Sequence, residues 1–212
     1  ELLYRTYGVN AHVNYAGVDT DVFTPSEKVK REHVVLSVGR VSPEKGHDLV
    51  IESLGHIPSD VRPKLIIAGD GADKREREYL VMLAQKASVD ISFESCSSQT
   101  EIVARYQKAR AVVFAPILEP FGFVPLEAMA CGTPVVGVKE AGVRETIQYN
   151  VGGLHVERDA IKIAEALRLL ITDEGLFLRQ SKLGRQYVIQ NWSWDSSIRG
   201  LTQHLSDVRQ HG

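Results

Sequence analysis

Short, wholly apolar runs alternate along this chain with stretches whose apolar residues recur at helical spacing. Val34-Val35-Leu36-Ser37-Val38 reads as a strand, and after it Val50, Leu54 and Ile57 share one face of a helix predicted over 47–57. Leu65-Ile66-Ile67-Ala68 is the next strand. It precedes a helix predicted from about Lys74 to Ala87, with Tyr79, Leu83 and Ala87 on its apolar side. Ile91-Ser92-Phe93 follows as a strand, and Ser98 with Glu101 forms a capping box for a helix carrying Ile102, Tyr106 and Ala109. Val112 to Ala115, Val135 to Val138 and Leu154 to Val156 supply three further strands.

Strands this apolar must be covered on both faces, which argues for a parallel sheet between helical layers. The predicted fold class is therefore α/β, a doubly wound parallel sheet of about six strands. From Ala160 onward the pattern turns purely helical. Ile163, Leu167, Leu170 and Ile171 mark one helix, residues 177–187 a second, and Trp192 with Trp194 introduce an amphipathic stretch to about Val208. Before the first strand, Gly8 to Pro25 is irregular. The predicted organisation is a lead-in segment over 1–25 and one domain over 26–212 with a helical C-terminal portion.

Composition narrows the function classes. With 212 residues, 43% of them hydrophobic, the chain can bury one sizeable core but not two ordinary domains. A formal net charge of −2 lacks the basic excess of a nucleic-acid binder, so no nucleic-acid partner is expected. The two cysteines, Cys96 and Cys131, belong to no metal-spaced cluster and read as buried thiols in a reducing compartment. No apolar run reaches the roughly 18 residues of a membrane span, and the first residues lack the pattern of a signal peptide. A cytoplasmic protein is expected.

In a doubly wound sheet, ligands bind beyond the carboxyl ends of the strands. Two loops there carry chemistry. Beyond the strand that ends at Ala115 lies Glu119-Pro120-Phe121-Gly122-Phe123-Val124-Pro125-Leu126-Glu127, with two acids eight positions apart. A short helix is predicted over 126–132, with Pro125 near its first turn, Gly132 just past its end and Glu127 on its opening turn. Free N–H groups at the helix start favour a phosphate there. An acid on each side of an anion site suits a ligand with phosphate and several hydroxyls, such as a nucleotide sugar.

The loop beyond the first strand reads Gly39-Arg40-Val41-Ser42-Pro43-Glu44-Lys45-Gly46. Arg40 and Lys45 beside a helix start make a diphosphate site that needs no metal. Each charge-assisted hydrogen bond there contributes about 1.5–3 kcal/mol, against about 0–1 kcal/mol for an exposed ion pair. The alternative is that both cations merely balance Glu44 and Asp48 on a solvated loop. Glu127 could likewise serve only the helix dipole, and Glu119 could be a solvated loop acid.

Gly39-Arg40-x-Ser42-x-Glu44-Lys45-Gly46, Gly69-Asp70-Gly71, and Glu119-x7-Glu127 followed by Ala128-Met129-Ala130-Cys131-Gly132-Thr133-Pro134-Val135 together resemble one family. It is the retaining glycosyltransferases of group 1, which include glycogen synthases, sucrose synthases and bacterial mannosyltransferases. Gly17-Val18-Asp19 with Phe23-Thr24-Pro25 resembles the family's segment at the start of its second domain. The similarity covers almost the whole chain in order. It implies one Rossmann-like half of a GT-B fold, the C-terminal, donor-binding half, with residues 1–25 leading in from an N-terminal acceptor domain.

The resemblance also implies roles. Glu127 would accept hydrogen bonds from the ribose hydroxyls, and Glu119 would lie at the transferred sugar. Backbone groups of Phe121, Gly122, Phe123 and Val124 would hold sugar hydroxyls and phosphate, with Gly39 and Gly69 also at the donor. Arg40 and Lys45 would stabilise the departing nucleoside diphosphate, where negative charge grows. Glu119, Arg40 and Lys45 are thus the catalytic candidates. No metal or other cofactor is implied. The acceptor would be a sugar or lipid, and the full-length protein could sit at the inner membrane face through its other domain. The isolated domain is expected to transfer sugar poorly or not at all.

Departures from the family pattern and weaker signals complete the reading. Relatives carry Gly-Gly where this chain has Ala141-Gly142, and a glycine where it has Ser95, near the nucleobase, so the base remains open among uracil, guanine and adenine. Asp19-Thr20-Asp21 has the spacing of a metal-binding acid pair but precedes the first strand and reads as a turn. Gly69-Asp70-Gly71 resembles a dinucleotide fingerprint, yet Lys74 stands at its third glycine, so a tight turn near the donor fits better. The histidines show no metal spacing. Rival readings are a non-catalytic nucleotide-binding or regulatory module, a nucleotide-sugar epimerase or phosphorylase of the same architecture, and a flavodoxin-like module.

Overall fold

The computed structural model describes residues 2–9, 11–71, 73–148 and 150–211. Six parallel strands form one sheet among the described residues: β1 (Val34–Val38), β2 (Lys64–Ala68), β3 (Ile91–Glu94), β4 (Ala111–Phe114), β5 (Val135–Val138) and β6 (Gly153–Val156). Their order is β3-β2-β1-β4-β5-β6, the doubly wound Rossmann arrangement. Strand order reverses between β1 and β4, and a crevice opens there at the carboxyl edge. Both sequence-predicted loops flank that point.

Alternation along each strand explains why both faces are covered. Val35, Leu65, Ile67, Val113, Val136 and Val138 point into one core, built with Val50, Ile51, Leu54, Leu80, Ile163 and Leu167. Val34, Leu36, Ile66, Val112, Phe114 and Val135 point into the other, with Tyr106, Leu126, Met129, Phe23, Val18 and Trp192. The first core belongs to helices α2 (His47–Gly55), α3 (Lys74–Ala87) and α7 (Ala160–Thr172). The second belongs to α4 (Gln99–Lys108), α5 (Phe123–Ala130) and α8 (Glu174–Asn191). The capping box at the start of α4 forms as the sequence predicts, with Ser98 and Glu101 exchanging side-chain and backbone bonds.

The remaining helices are α1 (Leu2–Tyr7), the one-turn α6 (Val143–Thr146) and α9 (Trp194–His211). Periodicity does not reveal α1 or α6, each too short to show a repeat. One facing is corrected. Tyr79 is exposed, and α3 buries Leu80 and Ala84 with Leu83 and Ala87 partly covered, so the apolar stripe runs one residue later. Val18 and Phe23 of the lead-in segment are buried in the second core, and the Arg185 guanidinium donates to the Phe23 carbonyl at 2.6 Å and the Thr20 carbonyl at 2.9 Å. No helix among the described residues is long and apolar enough to cross a membrane.

Candidate functional site

The loop after β1 is shaped by close backbone packing. A side chain on Gly69 would overlap the Gly39 carbonyl, so only glycine lets the loops after β1 and β2 touch. A Cβ on Gly39 would press on the Lys45 stem at 3.2–3.3 Å, which places Lys45 across the glycine. A 3-10 turn over Pro43–Lys45 then carries the chain into α2, with Gly46 in the left-handed region at φ 68° and directly against the Ala115 carbonyl.

His47 anchors this loop from below. Its Nε2 lies 3.0 Å from the Arg40 carbonyl and its Nδ1 lies 2.9 Å from Ser37 Oγ. A carbonyl can only accept, so Nε2 carries the proton and Nδ1 accepts from the Ser37 hydroxyl. Burial pushes the His47 pKa down, which keeps the ring in this neutral form.

Lys45 and Glu119 are brought together. Lys45 Nζ lies 3.0 Å from Glu119 Oε2, and each side chain keeps 24% exposure. Two further contacts bind their loops: the Ile117 amide donates to the Glu44 carbonyl at 2.8 Å, and Gly46 packs on Ala115. Arg158 holds the same crevice wall. It donates to the Ala115 carbonyl at 3.0 Å and the Pro116 carbonyl at 2.6 Å while pairing with Glu140 at 2.7 and 2.8 Å. That pair keeps the Glu140 carboxyl below its usual range.

Arg40 does not join the pair. Its guanidinium is 71% exposed and lies 3.8 Å from Glu44, the arrangement of a solvated loop cation. The Ser42 hydroxyl donates to Glu44 at 2.7 Å, and this bond chiefly holds the Glu44 carboxyl below its usual range. The structure therefore separates two cations that the sequence treats alike.

Beyond Glu119 the backbone is tightly constrained. Its carbonyl accepts from the Gly142 amide at 3.0 Å, and any side chain on Gly142 would overlap Pro120 and Phe121. Leu118, Gly122 and Ala141 take positive φ values of 52°, 95° and 42° around this loop. Only Gly122 does so without a Cβ penalty. Phe121 sits in an aromatic group with Phe123 at 4.8 Å, Trp192 at 5.5 Å and Tyr15 of the lead-in segment at 5.5 Å.

Helix α5 starts at Phe123, three residues earlier than predicted, with Gly122 as its cap. The amides of Phe123 and Val124 are thus left without intrahelical partners, and Pro125 has no N–H to leave unpaired. Glu127 is corrected accordingly: it lies beyond the first turn, which holds no acid. A dipole-complementing role for it is removed. Its Oε2 instead accepts from the Tyr106 hydroxyl at 2.8 Å. Burial raises the Glu127 pKa, and the Tyr106 bond opposes that rise. Tyr106 is fully buried, and burial next to the carboxylate drives its own pKa well above the usual value.

At the β2–β3 end, Ser95 Oγ donates to Asp70 Oδ1 at 2.7 Å, joining the Gly69-Asp70-Gly71 turn to the loop after β3. A cavity of about 140 Å³ lies there, lined by Val41, Gly69, Gly71, Phe93, Ser95 and Arg77, whose guanidinium covers the Phe93 ring at 4.7 Å. A larger hollow of about 450 Å³ lies between the carboxyl ends of α2 and α3, on the opposite edge of the sheet, and holds none of these groups. Chemistry, not volume, locates the site. Asp19 makes the expected turn, its Oδ1 accepting from the Asp21 and Val22 amides at 3.0 and 3.1 Å.

Tyr106, His47 and Arg158 are site-shaping residues that sequence reasoning missed. Tyr106 offered a signal, because a tyrosine on an apolar helix face must find a partner for its hydroxyl. His47 and Arg158 offered none, since each bonds a backbone carbonyl and one side chain that only the fold brings within reach.

Comparison with known proteins places this geometry. The family model described as glycosyl transferases group 1 matches residues 19–187. D-inositol 3-phosphate glycosyltransferase of Xylanimonas cellulosilytica is 31% identical over 95% of this chain and 53% of its own length. A GDP-mannose-dependent alpha-(1-6)-phosphatidylinositol monomannoside mannosyltransferase of Mycobacterium tuberculosis is 31% identical over 94% of this chain and 57% of its own. The chain thus spans about half the length of the curated relatives it matches. Among solved structures, the C-terminal domain of the group 1 protein LpcC from Francisella tularensis superposes with TM-score 0.72 at 26% identity, over 84% of this chain and 99% of that domain. Anabaena HepE in complex with UDP gives TM-score 0.81 at 23% identity, over 92% of this chain and 57% of that one, a likeness of fold. The sheet order, the two loops at its switch point and these matches agree that the chain belongs to the glycosyl transferases group 1 family, as one Rossmann-like half of a GT-B fold.

Proposed function

We propose that this domain binds a nucleoside diphosphate sugar and, with an acceptor-binding domain, transfers the sugar with retention of anomeric configuration and without a metal. The observation that carries the proposal is the Lys45–Glu119 pair, 3.0 Å apart where two loops meet beyond β1 and β4. A cation against the loop that leads into the free amides of α5 suits a diphosphate. An acid touching that cation suits the sugar end, where positive charge develops as the glycosidic bond breaks. In the ligand-free chain each group neutralises the other. A bound diphosphate would share Lys45 and leave Glu119 facing the sugar.

The rest of the ligand follows from this anchor. Phe123 and Val124 amides receive phosphate or sugar oxygens, with Gly39 and Gly69 giving close backbone approach. Glu127 accepts from the ribose diol, and Arg40 swings from Glu44 to the outgoing diphosphate, a move that its exposure permits. As the bond to the anomeric carbon lengthens, charge grows on the leaving phosphate, where Lys45 and Arg40 stabilise it. That phosphate takes the proton of the attacking hydroxyl on the same face, which preserves configuration. The named donor of the Mycobacterium relative and the UDP held by HepE support a nucleoside diphosphate ligand.

The acceptor half is proposed to pack on the apolar stripe of α9. Trp194, Ile198, Leu201, Leu205 and Val208 are all exposed at spacings of three and four residues, and Leu3, Tyr4 and Tyr7 of α1 are exposed as well. Such a continuous exposed stripe marks an interaction surface. Without that half the domain is expected to bind donor but to transfer little. Calorimetric titration of UDP, GDP and ADP in EDTA tests the central part. One of them should bind at full affinity in the chelator; binding only after a divalent cation is added would contradict the proposal.

A further inference from the structure

Tyr106 and Glu127 form a hydrogen-bonded pair of which the reaction described above uses only the carboxylate. Tyr106 lies on α4, fully buried, and its hydroxyl donates to Glu127 Oε2 at 2.8 Å. Its backbone is clamped. The Tyr106 carbonyl accepts from Arg31 Nη1 and from Thr133 Oγ1, each at 2.6 Å, and Arg31 also donates to Thr133 and to the carbonyls of Ala109, Cys131 and Gly132. The phenol therefore has little freedom. Among the described residues it is the hydrogen-bond partner of the Glu127 carboxylate, and Oε1 carries no such bond.

We infer that Tyr106 is a positioning residue that fixes the Glu127 carboxylate and reserves its Oε1 for a ribose diol, making the site selective for ribonucleotides over deoxyribonucleotides. The inference rests on the assignment of Glu127 to the ribose. A carboxylate on a free side chain could rotate to satisfy either one hydroxyl or two. Held by one oxygen, it presents the other in a single direction, and the cis hydroxyls of ribose are the neighbouring pair that can meet it. A bond from a neutral phenol also favours the ionised carboxylate, because a protonated carboxyl accepts more weakly.

The surroundings support that charge role. Burial raises the Glu127 pKa, and the phenol is the group that counters it. The other titratable groups acting on the pair are the Cys131 thiol at the end of α5 and the Cys96 thiol after β3. Burial pushes Cys131 up to about 12, against the opposing charges of Arg31 and Arg185, so it stays neutral. Removing the phenol oxygen should therefore raise the Glu127 pKa further and move the acid limb of nucleotide binding to higher pH.

The test compares wild type, Tyr106→Phe and Glu127→Ala by calorimetry with UDP, GDP and ADP and the 2′-deoxy and 3′-deoxy forms of each, at several pH values. Wild type should favour the best-bound ribonucleotide over its deoxy forms. Glu127→Ala should abolish that preference. Tyr106→Phe keeps the ring in the core and should cut the preference by about tenfold, the lower end for a bond to a charged group, with its acid limb displaced upward. A merely structural tyrosine would lower the melting temperature but leave both preference and acid limb unchanged, which would overturn the inference while sparing the ribose assignment. If Glu127→Ala itself leaves the preference intact, or if no nucleoside diphosphate binds wild type, the ribose assignment falls and the inference with it.

Discussion

Glu119 and Glu127 stand eight positions apart and both are partly covered, yet one is a loop acid at the crevice rim and the other a helix acid tied to a buried tyrosine. Glu119 keeps a quarter of its surface and faces the Lys45 ammonium. Glu127 lies partly covered on α5 and faces a neutral phenol. The two environments divide the labour. A partly exposed cation–acid pair can be opened by an incoming anion at small expense, since pairs near the surface are worth about 0–1 kcal/mol. An acid tied to a buried phenol is restrained by that bond, and so suits recognition of a fixed hydroxyl pattern.

The largest expected effect lies at the rim. Lys45→Ala should weaken every nucleoside diphosphate by roughly 10- to 100-fold, the loss of one charge-assisted bond at about 1.5–3 kcal/mol. Its folding stability should change by less than about 1 kcal/mol, as for any partly exposed pair. Calorimetry and urea melts measure the two sides, and a large stability loss with intact binding would break the comparison. In the core the balance reverses. Glu127→Ala leaves the buried Tyr106 hydroxyl unpaired and should lower stability by about 1–3 kcal/mol, whereas Glu119→Ala should stay within about 1 kcal/mol of wild type.

A smaller effect sharpens the same contrast through pH. The folded-state pKa of Glu127 is raised, so its contribution to stability is fully present below the unfolded value, near 4.3, and is lost as pH rises through the folded value. Glu127→Gln keeps an acceptor for Tyr106 and removes the titration. Its stability relative to wild type should therefore grow between pH 4 and pH 7 in paired denaturant melts. A difference that shrinks over that interval would contradict the burial assigned to Glu127. The smallest effect concerns the loop behind Glu119. Ala141 takes φ 42°, which disfavours any Cβ, so Ala141→Gly should raise stability by up to about 1 kcal/mol.

Much of this molecule is legible in its residue pattern, and what is not has physical reasons. The strands announce themselves because burial on both faces demands unbroken apolar runs such as Val34 to Val38. The two loops are legible from their residues beyond strand ends, whereas the strand order that makes them neighbours is not written in any local pattern. Side-chain pairing is harder. Arg40 and Lys45 look equivalent as letters, but Gly39 leaves room only for the Lys45 stem, while Arg40 turns to Glu44. The start of α5 is not legible from Pro125, because Gly122 at φ 95° sets the boundary two residues before it. Tyr106 counted as an apolar helix residue, since its partner lies on another element.

The division of the site has one direct test. Wild type, Lys45→Ala and Glu127→Ala are titrated with the best-bound nucleoside diphosphate and with its 2′,3′-dideoxy form. Lys45→Ala should weaken both ligands by the same factor, and Glu127→Ala should weaken only the ribose form. Equal loss of both ligands in Glu127→Ala, or loss confined to the ribose form in Lys45→Ala, would contradict a site with its diphosphate held at Lys45 and its ribose at Glu127.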